Sequence, residues 1–153
     1  MPWHLQVLWE IQEKSQHHEN TKKLIDAIKA KDPDIRLVDI TKTRVEDLSK
    51  YDRIGIASGI YFGKFNKDLI EYIKKDLPHA ISVFALYTYG NKSDKYTKEL
   101  KAITEEKGCK YLGEYGCFGF DTFGPFKLMG GIQKNHPTED EIAGAVHFYE
   151  TLI

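Results

Sequence analysis

The segment AISVFALYTY, residues 80–89, gives the clearest indication of the architecture of this chain. Its apolar side chains occupy both alternating sets of positions, so a strand formed here is buried on both faces. Burial on both faces is typical of a strand in a parallel sheet that helices cover on each side. The segment therefore predicts an inner strand of an α/β protein, and the flanking sequence should supply the other strands and the helices.

Short apolar runs alternate with longer amphipathic runs along the rest of the chain. Four further strands are predicted at LQVLWEI (5–11), IRLVDI (35–40), RIGIASGI (53–60) and KYLGEYGCF (110–118). Helices are predicted after Asn20, over 64–75, from Ser93 to a terminating Gly108, and behind a capping box at 138–141. Residues 41–50 are left open between a loop and an irregular helix. The alternation predicts a three-layer, doubly wound sandwich around a five-stranded parallel sheet, in a single domain over 1–153.

The composition argues against several classes of function. The 153 residues carry 22 basic and 23 acidic side chains, a net charge of -1, which is not the charge pattern of a nucleic-acid-binding protein. No run approaches the roughly 18 apolar residues of a membrane span. The N-terminal sequence lacks the features of a signal peptide, so a cytoplasmic location is expected. Two cysteines and the adjacent His17 and His18 do not make a metal site, and no catalytic set is proposed.

Two glycine-containing, aromatic segments follow predicted strands at the edge where parallel α/β sheets bind ligands. Residues 58–63 (SGIYFG) follow the third strand, and residues 88–91 (TYGN) end the fourth. Two such segments at one edge can hold a flat heteroaromatic ring between them, with backbone N–H groups at its polar rim. The alternative is that they are ordinary turns whose aromatic side chains pack on the core.

Residues 118–136 form a long aromatic segment before the last helix. Loops of this length in a compact domain are usually functional or disordered, and this one is too aromatic for disorder. Two interpretations stay open: a lid or partner-docking surface beside a ligand, or an excursion that covers the edge of the sheet.

Residues 51–73 resemble the third strand, flavin loop and following helix of flavodoxin-like proteins, and residues 88–90 resemble their second flavin-contacting loop. Residues 119–142 are similar to the C-terminal part of small flavodoxin-domain proteins. That group includes the flavodoxin-like partner of bilirubin reductase, and protoporphyrinogen-oxidase-like flavodoxins are related. The resemblance implies strand order 2-1-3-4-5, non-covalent FMN, and transfer of one or two electrons.

The resemblance also implies a set of cofactor-binding positions. One group would surround the FMN phosphate: Ser15, Gln16, His17, His18, Asn20 and Thr21. A second group would approach the ring from one side: Ser58, Gly59, Ile60, Tyr61, Phe62 and Gly63. A third group would lie on the other side: Thr88, Tyr89, Gly90 and Asn91.

The phosphate segment departs from the family pattern Ser/Thr-x-Thr-Gly-Asn-Thr. Residues 16–21 fall in that register, yet only Asn20 and Thr21 match, and Glu19 replaces the glycine. A carboxylate in contact with a phosphate is repelled by an energy on the order of several kcal/mol at an effective dielectric constant near 20. The loop has either diverged from phosphate binding or uses other donors, such as Lys14 and Ser15.

The nearly neutral charge is a second departure, because electron-carrier flavodoxins are typically strongly acidic. It favours a dedicated redox partner over general electron shuttling. The leading hypothesis is an FMN-binding redox protein that exchanges electrons with a partner oxidoreductase. Two alternatives are a flavin enzyme acting directly on a quinone, porphyrin or tetrapyrrole, and an FMN-less interaction module. The sequence does not determine the oligomeric state.

Overall fold

The computed structural model describes residues 5–9, 20–40, 47–119 and 135–152. The strands are β1 (Leu5–Trp9), β2 (Arg36–Asp39), β3 (Arg53–Tyr61), β4 (Lys64–Phe65), β5 (Ser82–Tyr89) and β6 (Lys110–Phe118). The helices are α1 (Asn20–Lys31), α2 (Lys67–Asp76), α3 (Lys98–Glu106) and α4 (Glu139–Thr151), with a short 3-10 turn at Leu48–Lys50.

The described strands form one mixed sheet, with parallel and antiparallel pairs. Neighbouring strands follow the order β2-β1-β3-β5-β6, and each of these pairs is parallel. The short strand β4 lies off this path and pairs antiparallel with β3. The predicted α/β architecture is confirmed, and the sheet departs from the purely parallel, five-stranded prediction by the added strand β4, where the chain doubles back after β3.

A tight turn causes that reversal. Phe62 and Gly63 both have positive φ, +51° and +76°, which is the pattern of a type I′ hairpin turn. The turn pairs Tyr61 with Lys64 and Ile60 with Phe65. The helix predicted over 64–75 consequently begins only at Lys67, where the Asn66 side chain caps α2 by accepting the Leu69 N–H at 3.0 Å.

Strand β5 separates two apolar layers, as its sequence predicts. Val83 and Ala85 pack with α2 and α3, while Phe84 and Leu86 pack with α1 and α4; all four side chains have 0% exposure. On the second face, the Tyr149 hydroxyl donates to Asp32 Oδ2 at 2.5 Å and so joins α4 to the residue that follows α1. The described elements thus form three layers.

Two further helix ends follow their predicted signals, and one further helix start departs from its signal. Gly108 follows α3 with φ +66°, and Thr138 and Glu141 form the reciprocal capping box at the start of α4. The predicted start of α3 at Ser93 is wrong. The Ser93 hydroxyl accepts the Lys95 N–H at 3.2 Å, which favours a local turn, and the helix begins at Lys98.

Among the helices that the structure describes, none combines the length and apolar character needed to cross a bilayer.

The close contact between Gly55 and Phe84 provides a test of the packing. A Cβ atom at Gly55 would lie 2.5 Å from Phe84 Cζ, and the Phe84 side chain is fully buried. We expect Gly55→Ala to lower the free energy of unfolding by about 1–3 kcal/mol because the ring has to shift within a filled core. Urea denaturation measures the effect. Gly108→Asn is the control, since its site is open and Asn tolerates positive φ.

Candidate functional site

Helix α1 and strands β5 and β6 meet at the carboxyl edge of the sheet. The buried hydroxyls of Thr21 and Thr88 are hydrogen-bonded at 2.9 Å, which joins the first turn of α1 to the end of β5. The Gly119 N–H donates to the Tyr89 carbonyl at 2.9 Å. A Cβ at Gly119 would lie 2.5 Å from Asn20 Nδ2, so the end of β6 packs directly against the start of α1.

The predicted phosphate residues divide into two groups. Ser15, Gln16, His17 and His18 lie outside the described residues, as does Glu19. Asn20 and Thr21 open α1 and are buried, with 1% and 7% exposure. The helix start carries the partial positive charge that favours anions.

Two side chains of the predicted segment 58–63, those of Ser58 and Ile60, are buried. The fully buried Ser58 hydroxyl donates to the Gly59 carbonyl at 2.5 Å and accepts the Asn66 N–H at 3.0 Å, which couples β3 to the start of α2. Ile60 packs in the core. The side chain of Tyr61 lies outside the described part of the chain. Among the described positions of this segment, Phe62 and Gly63 are exposed.

Phe62 combines an exposed aromatic ring with an unfavourable backbone. Its side chain is 81% exposed, and its φ of +51° lies in the left-handed region. That conformation costs a bulky residue about 1–2 kcal/mol, and Asn or Gly normally occupies this position of a type I′ turn. Strained residues concentrate at functional sites, so the ring is a candidate contact for a ligand or a partner.

In the predicted segment 88–91, the first three residues are buried and the last one is exposed. The hydroxyl of Thr88 is engaged by Thr21. The buried Tyr89 ring packs edge-on against Phe118, with centroids 5.0 Å apart, and tilted against Tyr96 at 5.9 Å. Gly90 is buried and Asn91 is exposed, and the Asn91 carbonyl accepts the Tyr96 hydroxyl at 2.5 Å. A ligand at this segment would therefore meet backbone and Asn91 rather than the Tyr89 ring.

Glu114 is the centre of a cluster of hydrogen-bonded polar side chains. Its carboxylate accepts hydrogen bonds from Thr97 at 2.9 Å, Tyr111 at 3.1 Å and Tyr87 at 3.3 Å, and pairs with Lys101 at 2.9 Å. Burial alone would raise the pKa of Glu114, but the bonds from Lys101 and Thr97 outweigh it, and the net pKa is lowered. Burial and the Glu114 charge raise the pKa of Tyr87 and Tyr111, so both phenols stay protonated as donors.

Sequence reasoning did not identify this cluster. An acidic residue in the middle of the otherwise apolar strand 110–118 was the available signal, because a buried carboxylate requires partners.

A second carboxylate joins the end of β6 to the start of α4. Glu141 accepts the Phe118 N–H at 3.3 Å and the Thr138 N–H at 2.8 Å, and it is hydrogen-bonded to the His136 ring. Burial would raise the Glu141 pKa, but the bonds from Thr138 and His136 outweigh it and lower the net value. The capping box was predicted, whereas the contacts with Phe118 and His136 depend on tertiary structure.

Cys117 has the properties of a core residue. It is 4% exposed, and burial raises its pKa to about 12, so the thiol stays protonated at neutral pH. Within the described ranges, no group of three or more His, Cys, Asp or Glu side chains has the arrangement of a metal site.

Comparisons with known proteins agree with this architecture. A family model described as flavodoxin domain matches residues 15–119. The uncharacterized protein MJ0298 of Methanocaldococcus jannaschii is 38% identical over 142 residues, which cover 92% of this chain and 94% of that protein.

Solved structures show the same fold at low sequence identity. A flavodoxin from the domain Archaea has a TM-score of 0.66 and 13% identity, and the match covers 97% of this chain and 98% of that one. The Fusobacterium nucleatum flavodoxin bound to flavin mononucleotide has a TM-score of 0.63 and 10% identity, with 97% of each chain covered.

The Glu114 cluster predicts a pH-dependent stability. The folded pKa lies below the ordinary value of 4.5, so the stabilisation is complete above about pH 4.5 and is lost as the pH falls through the folded pKa. We expect Glu114→Gln to cost about 1–2 kcal/mol at pH 7 and less near pH 3.5. Urea unfolding at both pH values measures this. Glu105→Gln, at an exposed position, is the control, and an equal loss at both pH values would contradict the interpretation.

The strained turn at Phe62 predicts a substitution that increases stability. We expect Phe62→Asn to raise the free energy of unfolding by about 1 kcal/mol because Asn accepts the left-handed conformation. Phe62→Ala removes the ring without relieving the backbone and should change stability little. A loss of stability in Phe62→Asn would contradict this interpretation, because it would show that the ring contributes more to stability than the left-handed backbone costs.

Proposed function

Because the chain belongs to the flavodoxin domain family, we propose that it binds FMN non-covalently at the carboxyl edge of its sheet and exchanges electrons with a partner oxidoreductase. The observation that carries this proposal is the Thr21–Thr88 hydrogen bond of 2.9 Å. It holds the start of α1 beside the end of β5, so an anion-binding helix terminus and a ring-binding strand end lie together. The FMN bound to the Fusobacterium nucleatum flavodoxin supports the choice of cofactor.

The described residues fit the phosphate end of FMN in part. The N-terminus of α1 supplies N–H donors and a favourable dipole, and buried Asn20 and Thr21 fix its position. Ser15, Gln16, His17 and His18 are proposed as the rest of the phosphate site. Glu19 opposes an anion there, and a neighbouring cation has to offset its charge.

The turn after β3 fits the ring end. FMN, when bound, supplies the one- or two-electron chemistry, and the protein orients it and sets its electrostatic environment. The positive φ values of Phe62 and Gly63 reverse the chain at this edge. A peptide N–H of this turn is the proposed hydrogen-bond donor to a polar ring atom. Ser58, through Gly59 and Asn66, holds this turn against β3 and α2. Tyr61, Gly90 and Asn91 are proposed as the neighbouring contacts, while Ile60, Thr88 and Tyr89 act through packing.

A partner protein is the proposed source or destination of the electrons. Direct action on a quinone, porphyrin or tetrapyrrole is the alternative, and the segment that would cover such a substrate, 120–134, lies outside the described residues. Turnover of a quinone by the FMN-loaded protein alone would favour that alternative.

Cofactor titration tests the proposal and the effect of Glu19 together. We expect the protein to retain an FMN absorption band after removal of excess cofactor, and Glu19→Gly to tighten FMN binding by about tenfold or more. Flavin fluorescence quenching measures both dissociation constants. Riboflavin lacks the phosphate and serves as the control ligand, because its affinity should not respond to Glu19→Gly. Failure of both proteins to bind excess FMN would instead identify an FMN-less interaction module.

A further inference from the structure

Residues 90–97 connect β5 to α3 and include Gly90 and Asn91, two of the proposed contacts of the FMN ring. We propose that the ionised Glu114 carboxylate is a positioning group for this segment, so that binding of a flat ring at its start depends on a charge carried by the neighbouring strand β6. This proposal rests on the redox function proposed above and assigns a pH-dependent control to the same site.

Thr97 connects the end of the segment directly to Glu114. Its side chain is 1% exposed, and its hydroxyl lies 2.9 and 3.0 Å from the two carboxylate oxygens of Glu114. Thr97 stands at the N-cap position of α3, where a threonine side chain normally accepts a backbone N–H of the first turn. Within the described residues this side chain makes no such bond. The hydroxyl therefore holds the segment against β6 and does not cap the helix.

Tyr96 provides a second connection, through aromatic rings. Its hydroxyl donates to the Asn91 carbonyl at 2.5 Å, which joins the end of the segment to its start. Its ring packs edge-on against Tyr87, with centroids 6.2 Å apart, and the Tyr87 hydroxyl donates to Glu114 at 3.3 Å. Glu114 therefore supports both residues at the end of the segment, and Tyr96 transmits this support to Asn91.

The charge on Glu114 is required for these contacts. A carboxylate only accepts hydrogen bonds, whereas a protonated carboxyl group has to donate one and loses acceptor capacity. The titratable groups that face Glu114 among the described residues are Lys101 of α3, Tyr87 of β5 and Tyr111 of β6. Burial and the Glu114 charge raise the pKa of both phenols, so Lys101 is the cation that balances the carboxylate.

The pKa of Glu114 gives the direction of the pH dependence. Burial alone would raise this pKa, but the bonds from Lys101 and Thr97 outweigh it and the net pKa is lowered. The contacts are therefore complete above about pH 4.5 and are lost as the pH falls through the folded pKa. By linkage, a ring that binds the ordered segment binds less tightly once Glu114 is protonated.

Riboflavin binding tests this coupling, because riboflavin carries the ring without a phosphate that titrates. We expect its dissociation constant, measured by fluorescence quenching, to rise about fivefold or more as the pH falls from 7 to about 3.5. Glu114→Gln should show the weaker affinity already at neutral pH and little further weakening in acid. Circular dichroism at each pH verifies that the protein is folded.

Two threonine positions separate positioning from a general loss of stability. Thr97→Val removes the hydroxyl that bonds Glu114 and should weaken riboflavin binding about fivefold or more at neutral pH, whereas Thr97→Ser keeps the hydroxyl and should retain the affinity. Thr104→Val is the control. It makes the same change at a buried position of the same helix, where the hydroxyl donates to the Lys101 carbonyl at 2.8 Å, and should leave binding unchanged.

Amide NMR of the flavin-free protein observes the segment without any ligand. The amide shifts of Asn91 and Tyr96 should follow the titration of the Glu114 carboxyl group, which is itself observed by carbon-13 labelling. Glu114→Gln should abolish this response.

The outcomes distinguish the two proposals. If no flavin binds but Asn91 follows the titration of Glu114, the positioning role stands and the FMN proposal falls. If riboflavin binds equally to the unmodified protein, Glu114→Gln and Thr97→Val, or if Asn91 does not respond to Glu114, the positioning role is wrong and flavin binding is unaffected by that result. Equal weakening by Thr104→Val and Thr97→Val would also overturn the positioning role, because it would reflect stability alone.

Discussion

The burial of β5 on both faces is the constraint on which the rest of the structure depends. Side chains from Val83 to Leu86 alternate between two apolar layers and are fully buried, so helices must cover the sheet on both sides. Parallel strands joined through helices place all their carboxyl ends at one edge. The candidate ligand site lies at that edge for this reason.

The edge itself is held by side-chain hydrogen bonds that leave backbone and Phe62 facing solvent. Thr21 and Thr88 bind each other, Ser58 binds Asn66, and Glu141 binds Phe118, so these polar side chains of the described part of the edge are engaged within the protein. A ligand at such an edge meets a helix terminus and turn peptides, which suits an anionic, flat cofactor.

The sequence predicted the elements whose signals are local. The apolar pattern of 110–118 identified β6, Gly108 marked the end of α3, and the spacing of Thr138 and Glu141 identified a capping box. The errors arose where a competing interaction prevailed. Phe62 and Gly63 closed a hairpin in place of the first turn of a helix, although a residue followed by Gly between apolar positions was a usable hairpin signal. The Ser93 hydroxyl favoured a turn over a helix cap.

By itself, the sequence determined the alternation of strands and helices, because periodicity and caps depend on residues close in the chain, and that alternation predicts the edge at which a ligand would bind. It also showed that Glu19 stands where the family pattern has glycine, because that difference is one of residue type alone. Only the tertiary structure decided that Thr21 meets Thr88 and that Glu114 gathers two tyrosines and a lysine. Those partners are far apart in sequence, and packing across the sheet is what brings them together.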